Sequence, residues 1–137
     1  MSKILGIDYG EKHIGLAVSD DEKKWVFPYS RIEKKSWEQV FEELKIICEK
    51  ENIEKIVVGL PLSLKENRNE KAKKIQDFIG RLEETVNIPA DFEDERFTTK
   101  ASEQLLKQAG KKKLKDKVDE TAAVLILQSY LEKNKNE

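Results

Sequence analysis

The sequence predicts an α/β fold, a mixed five-stranded sheet flanked by helices. Three observations carry this expectation. Three strand-like runs open the chain in succession, separated only by turn residues. Two further strands then alternate with segments of helical apolar period, as parallel crossovers do. The 137 residues, 38% of them apolar, suit one domain spanning residues 1–137. A domain of that size buries about 70% of its unfolded surface and needs no disulfide or metal to fold.

Each element has its own signal. Ile4-Leu5-Gly6-Ile7 is a buried strand within Lys3 to Tyr9, Gly10 is a turn, and Ile14 to Ser19 is the hairpin partner. Trp25 to Ile32 is a third strand, placed near an edge because Pro28 cannot donate to a ladder. Ser36 and Gln39 have capping-box spacing, and Trp37, Val40, Phe41, Leu44, Ile47 and Cys48 repeat behind them with helical period. Glu54 to Leu60 is a fourth strand ended by Pro61, and Leu62 to Asn69 a polar loop. Ala72, Ile75, Ile79 and Leu82 mark a second helix, and Ile88 to Asp94 the fifth strand. Thr98 or Thr99 caps a third helix that stops at Gly110. After a lysine-rich loop, Val118 to Leu131 forms a last, mostly buried helix, and Glu132 to Glu137 is a fraying tail. Trp25 and Trp37 can be read as residues that stack on bases, but packing in or near the core is the expectation.

Composition excludes several classes. Lys plus Arg (26) nearly cancels Asp plus Glu (27), so any nucleic-acid contact must come from local clustering of positive charge. One cysteine, Cys48, rules out a disulfide within the chain and fits a reducing compartment. No apolar run is long enough to span a bilayer, and the N-terminus has no signal-peptide core, so a cytoplasmic location without membrane contact is expected. With His13 the only histidine, histidine-based triads and zinc clusters have little support.

Carboxylates are the more informative groups. Asp8 ends an apolar strand, where an uncompensated charge is costly to bury, although a strand-end Asp also turns readily to solvent. Glu95 closes Asp91-Phe92-Glu93-Asp94-Glu95; alternation puts Glu93 and Glu95 on one face, but which face meets Asp8 stays open at this level. Asp119 falls in the first turn of the last helix, where the helix dipole favours an acid regardless of function. Its neighbours at i+3 and i+4, Ala122 and Ala123, are small enough to let that helix approach the sheet. Converging, the three acids suit hard divalent cations such as Mg²⁺ or Mn²⁺, two of which about 4 Å apart clamp the attacking and leaving oxygens of a phosphoryl transfer.

The motifs resemble those of the YqgF/RuvX family, RNase H-like proteins described as Holliday junction resolvases or pre-16S rRNA nucleases. The matching pieces are Gly6-Ile7-Asp8-Tyr9-Gly10 with Ile14 to Asp20, Val57-Val58-Gly59-Leu60-Pro61, Asp94-Glu95-Arg96-Phe97-Thr98-Thr99, and Lys117 to Ala123 through Leu131. They run in family order over nearly the whole chain. The resemblance implies an RNase H-like fold and a metal-dependent nuclease acting in ribosomal RNA maturation. It places catalytic and metal-holding roles on Asp8, Glu95 and Asp119, and includes Arg96, Thr98 and Thr99 in the motif. Two departures stand out: Lys12-His13 replaces a Lys-Arg pair, and Leu64-Lys65-Glu66-Asn67 replaces a glycine-containing loop. Many RNase H-like nucleases end the fourth strand on an acid; here it ends Gly59-Leu60-Pro61, which leaves that role to Glu95 on the fifth.

Substrate contacts are expected from Lys112, Lys113 and Lys115 in the basic stretch before Asp119, and from Gly10 and Lys12 in the first turn. Thr98 and Thr99 cap a helix whose first N–H groups can also receive an anion. The expected partner is nucleic acid, pre-rRNA first and branched DNA second, with ribosomal precursor particles as a setting and a monomer or weak dimer as the state. Two rivals are an actin-like or sugar-kinase phosphate loop at Asp8-Tyr9-Gly10, which needs a second domain beyond this length, and a non-catalytic RNA-binding assembly factor.

Overall fold

The computed structural model describes residues 2–60, 68–94 and 118–135. Among them run, in order, β1 (Lys3–Asp8), β2 (His13–Ser19), β3 (Val26–Glu33), α1 (Trp37–Lys50), β4 (Ile53–Leu60), α2 (Arg68–Val86), β5 (Ala90–Asp94) and α3 (Val118–Lys135). The five strands form one sheet in the order β3-β2-β1-β4-β5. Antiparallel pairs join β1, β2 and β3, while β1, β4 and β5 run parallel. This is the mixed sheet that the sequence predicts. The helix expected over residues 98–109 lies outside the described residues.

Strand alternation divides the core in two. Leu5 and Ile7 of β1, with Ile56 and Val58 of β4, face Val40 and Leu44 of α1 and Ile75 and Leu82 of α2. On the opposite face Ile4 and Val57 meet Ile126, Leu127 and Tyr130 of α3. Each fully buried Leu or Ile contributes about 1.5–3 kcal/mol relative to exposure. The sheet is therefore covered by α1 and α2 on one side and by α3 on the other.

Local chemistry sets the boundaries. The Ser36 hydroxyl accepts from the Gln39 N–H at 3.1 Å while the Gln39 amide oxygen accepts from the Ser36 N–H at 3.3 Å, closing the capping box. Just past α1 and α2, Asn52 and Asn87 each take φ 55°, the left-handed conformation in which Asn substitutes for Gly at a helix end. Pro28 does lie on the edge strand β3, opposite Ala17, and the register with β2 shifts between Leu16 and Ala17, leaving Tyr29 as the extra residue beside it.

Three expectations need correction. Trp25 is 68% exposed rather than in the core, because it precedes the edge strand β3 at the rim of the sheet. The tail beyond Leu131 does not fray at once: α3 continues to Lys135, held by an ion pair from Lys133 to Glu93. The fifth strand starts at Ala90, two residues late, because Pro89 has no N–H to enter the ladder.

Candidate active site

Asp8 closes β1 and shares a sheet face with Ile4 and Gly6, the face covered by α3. Its direct neighbours across the ladders are Gly15 on β2 and Gly59 on β4. Neither has a side chain to crowd the end of β1 on that face. Asp8 is half-buried rather than sealed in, as a ligand group open to a substrate must be.

Gly6 brings α3 close. A Cβ built there would stand 2.9 Å from Leu127 Cβ and 3.1 Å from the Ala123 carbonyl oxygen, closer than packed atoms sit. The small-residue approach expected from Ala122 and Ala123 is thus realised chiefly by Ala123, fully buried, over Gly6; Ala122 is only half-buried. Later residues of α3 pack on the earlier residue Ile4, so the helix runs opposite to β1. Asp119 lies one turn before Ala123, about 6 Å along the helix, and Asp8 lies two residues past Gly6, about 6.6 Å along the strand. Both displacements lead from the Gly6 contact toward the C-terminal end of β1. The Asp119 carboxylate lies outside the described atoms.

The acids of β5 sort themselves by partner. Asp91 accepts from the Tyr130 hydroxyl at 3.2 Å, and Glu93 accepts from Lys133 at 2.5 Å and from Ser129 at 3.4 Å. Both therefore face α3, on the same side as Asp8, whereas Phe92 points the other way and is 59% exposed. The register runs Asp8 to Gly59 to Glu93, so Glu93 is two strands away, about 10 Å between backbones. Only 4% exposed, Glu93 is committed to anchoring α3. Sequence reasoning missed this role, and it missed Gly6 as the contact point; a glycine inside an apolar strand was the available signal.

Other expected site residues divide in the same way. Gly10 follows the strand end, and its missing Cβ is required by the chain itself, since one built there would meet the His13 carbonyl oxygen at 2.4 Å. Lys12 is exposed in the same turn, and its carbonyl accepts from the Lys34 N–H at 2.9 Å. Glu95, Arg96, Thr98, Thr99, Lys112, Lys113 and Lys115 lie outside the described residues. Among the described residues no group of three or more His, Cys, Asp or Glu side chains is placed to hold a metal. No helix among them is long and apolar enough to cross a membrane.

Comparison with known proteins gives this geometry its context. A family model described as RuvX: Holliday junction resolvase matches residues 2–133. A relative from Maridesulfovibrio salexigens, named "Putative pre-16S rRNA nuclease", is 39% identical over 131 residues, which cover 94% of this chain and 97% of the relative. T. thermophilus RuvC, solved in complex with a Holliday junction substrate, matches with a TM-score of 0.63 at 12% identity over 97% of this chain and 96% of its own. The fowlpox virus Holliday junction resolvase matches with a TM-score of 0.59 at 17% identity over 96% and 98%. At such identities these two structures speak for the fold, and the near-complete family match speaks for descent: the chain belongs to the RuvX (YqgF) family, nucleases of RNase H-like fold.

Proposed function

We propose that this nuclease hydrolyses phosphodiester bonds in the 5′ maturation of pre-16S rRNA, with Asp8, Glu95 and Asp119 as its catalytic carboxylates. The observation that carries the reading is the close passage of α3 over Gly6, which supports a meeting of the helix's first turn with the strand end that bears Asp8. Because Asp91 and Glu93 are spent on Tyr130, Ser129 and Lys133, the next acid of the same parity, Glu95, is the one available to complete the set. The relative's name supports the RNA substrate.

The donor set fits a hard divalent cation, Mg²⁺ or Mn²⁺. Asp8 offers carboxylate oxygens, hard ligands, at a half-buried strand end flanked by glycines. Such a cation, when bound, supplies Lewis-acid polarisation of the scissile phosphate. The chain's own part is to hold the carboxylates on a rigid strand and helix and to orient the phosphodiester against them. Lys12, Arg96, Thr98, Thr99, Lys112, Lys113 and Lys115 supply contacts to the RNA backbone. The expected setting is a ribosomal precursor particle in the cytoplasm, with the protein acting as a monomer or weak dimer.

Branched DNA is the second reading, favoured by the family's description. Resolving a four-way junction needs two symmetry-related sites and hence a dimer. The test is cleavage of pre-16S rRNA fragments and four-way DNA junctions in parallel, with and without Mg²⁺ or Mn²⁺. Asp8→Asn should retain its melting temperature and lose more than the roughly hundredfold activity typical of an outer-shell metal partner. Unchanged turnover in Asp8→Asn removes Asp8 from the site. Absence of any metal-stimulated cutting sinks the proposal.

A further inference from the structure

On the face opposite α3, the first turns of α1 and the middle of α2 leave an open cleft of about 400 Å³ beside β1. Its floor is aromatic. Tyr9 and Trp37 lie with ring centroids 5.7 Å apart and planes 11° from parallel. Phe78 meets Tyr9 edge-on at 5.2 Å and Phe41 in a stack at 5.5 Å. Phe41 and Phe78 are buried and belong to the core, but Tyr9 and Trp37 are only half-buried and line the opening.

The rim is charged, and the cations outnumber the acids. Lys34 places its ammonium 4.2 Å over the Trp37 ring, and Arg81 its guanidinium 4.8 Å over Phe41. Lys74 pairs with Glu11 at 3.0 Å across the mouth, and Asp77 is the remaining acid. Burial, with Glu11 adding and Lys74 opposing, holds the Tyr9 phenol above its ordinary pKa, so the ring stays neutral at physiological pH.

We infer that this cleft is a binding subsite for an unpaired nucleotide of the RNA substrate, its base stacked on Trp37 and Tyr9 and its phosphates met by Lys34, Lys74 and Arg81. The inference deepens the nuclease reading and rests on it. Position is the first argument: Tyr9 directly follows Asp8, and their Cα atoms are about 3.8 Å apart across one trans peptide. A strand whose phosphate lies at Asp8 on one face can turn over the end of β1 and place a neighbouring base on the other. Volume is the second, since a cleft of this size suits a small ligand. Chemistry is the third. Aromatic rings with flanking cations are how single-stranded nucleic acid is held, and stacking on an aromatic ring accepts any base. An exposed cation–π contact is weaker than a base stack, so a base can displace the Lys34 ammonium from Trp37, and the flexible lysine stem then carries the charge to a phosphate.

The test uses Asp8→Asn protein, which holds RNA uncut, carrying Trp25→Phe so that Trp37 is the only tryptophan. Titration with an unstructured oligoadenylate 12-mer should quench Trp37 emission in step with binding. Trp37→Leu should weaken binding about tenfold. The paired change Lys34→Gln and Lys74→Gln, which leaves the aromatic floor intact, should reduce the salt slope by about 0.7 for each phosphate no longer neutralised. If Trp37→Leu fails to fold, the emission change and the lysine pair decide. Binding with unaltered Trp37 emission and an unaltered salt slope overturns the subsite while leaving the nuclease reading in place, provided the unmutated protein cuts RNA. If the unmutated protein neither binds nor cuts RNA, the nuclease reading falls and takes the subsite with it.

Discussion

Gly6→Ala is the most direct probe of how the site is assembled. The added methyl would sit 2.9 Å from Leu127 Cβ and 3.1 Å from the Ala123 carbonyl oxygen, and both neighbours are fully buried. Packed carbon atoms prefer about 3.5–4.0 Å, so the first contact is short by roughly 0.6 Å or more. The obstacles are a helix Cβ and a backbone carbonyl, which cannot swing aside, so α3 itself must retreat from β1. Overpacking of this kind costs about 1–3 kcal/mol, and the lower chain entropy of alanine returns about 0.4–1 kcal/mol. The net loss is about 1–2 kcal/mol, or a fall in melting temperature of about 3–6 °C for a chain of this size. Activity should fall much further, because a shift of about 1 Å in a catalytic group can cost about a hundredfold. Thermal melts and single-turnover cleavage of a pre-16S rRNA fragment measure the two effects. A variant with unchanged melting temperature and unchanged cleavage would refute the idea that Gly6 sets the height of α3 over the strand end.

Other expected outcomes concern the anchor of α3 and the lone thiol. Lys133→Met leaves the buried Glu93 carboxylate, among the described residues, with the Ser129 hydroxyl at 3.4 Å, and should lower stability by about 1–3 kcal/mol, toward the lower end because Lys133 is 55% exposed. Urea midpoints check this, and an unchanged midpoint would show that the ion pair does not hold the helix. Burial, with Glu49 adding, pushes the Cys48 thiol up to about 11 from an ordinary 9.0, so folded protein should resist a thiol-specific reagent at pH 8 and react fully once unfolded in urea. The sign follows: a thiol raised in the folded state stabilises fully below 9.0, and that contribution is lost as pH climbs through about 11. Rapid labelling of the native protein would contradict the burial.

Most of the fold was legible in the sequence because each element carries its own local signal. Apolar runs bounded by Gly10 and Pro61, the Ser36–Gln39 box and the helical period behind it are properties of neighbouring residues, and all of them correspond to elements of the structure. Asp8 stood out for the same reason, as a charge ending a run of buried strand residues. Alternation also set Glu93 and Phe92 on opposite faces of β5, as the structure has them. What alternation cannot supply is the identity of the face, because a period of two is symmetric until something packs on one side.

Tertiary structure made that choice through α3. Its passage over Gly6, its opposite direction to β1, and the anchoring of Asp91 and Glu93 by Tyr130, Ser129 and Lys133 are contacts between segments more than 30 residues apart. No local pattern encodes such contacts, so the sequence left the face and partner of Glu93 open and read Lys133 as part of a fraying tail. The same holds for Trp25 and Trp37. A tryptophan's apolar character says that it prefers to be covered, but only the tertiary arrangement decides which is covered: Trp25 stands at the sheet's rim just before the edge strand, and Trp37 sits where α1 and α2 leave a cleft. Composition and spacing thus determined which residues are suited to each role, while packing across the sheet decided which of them meet.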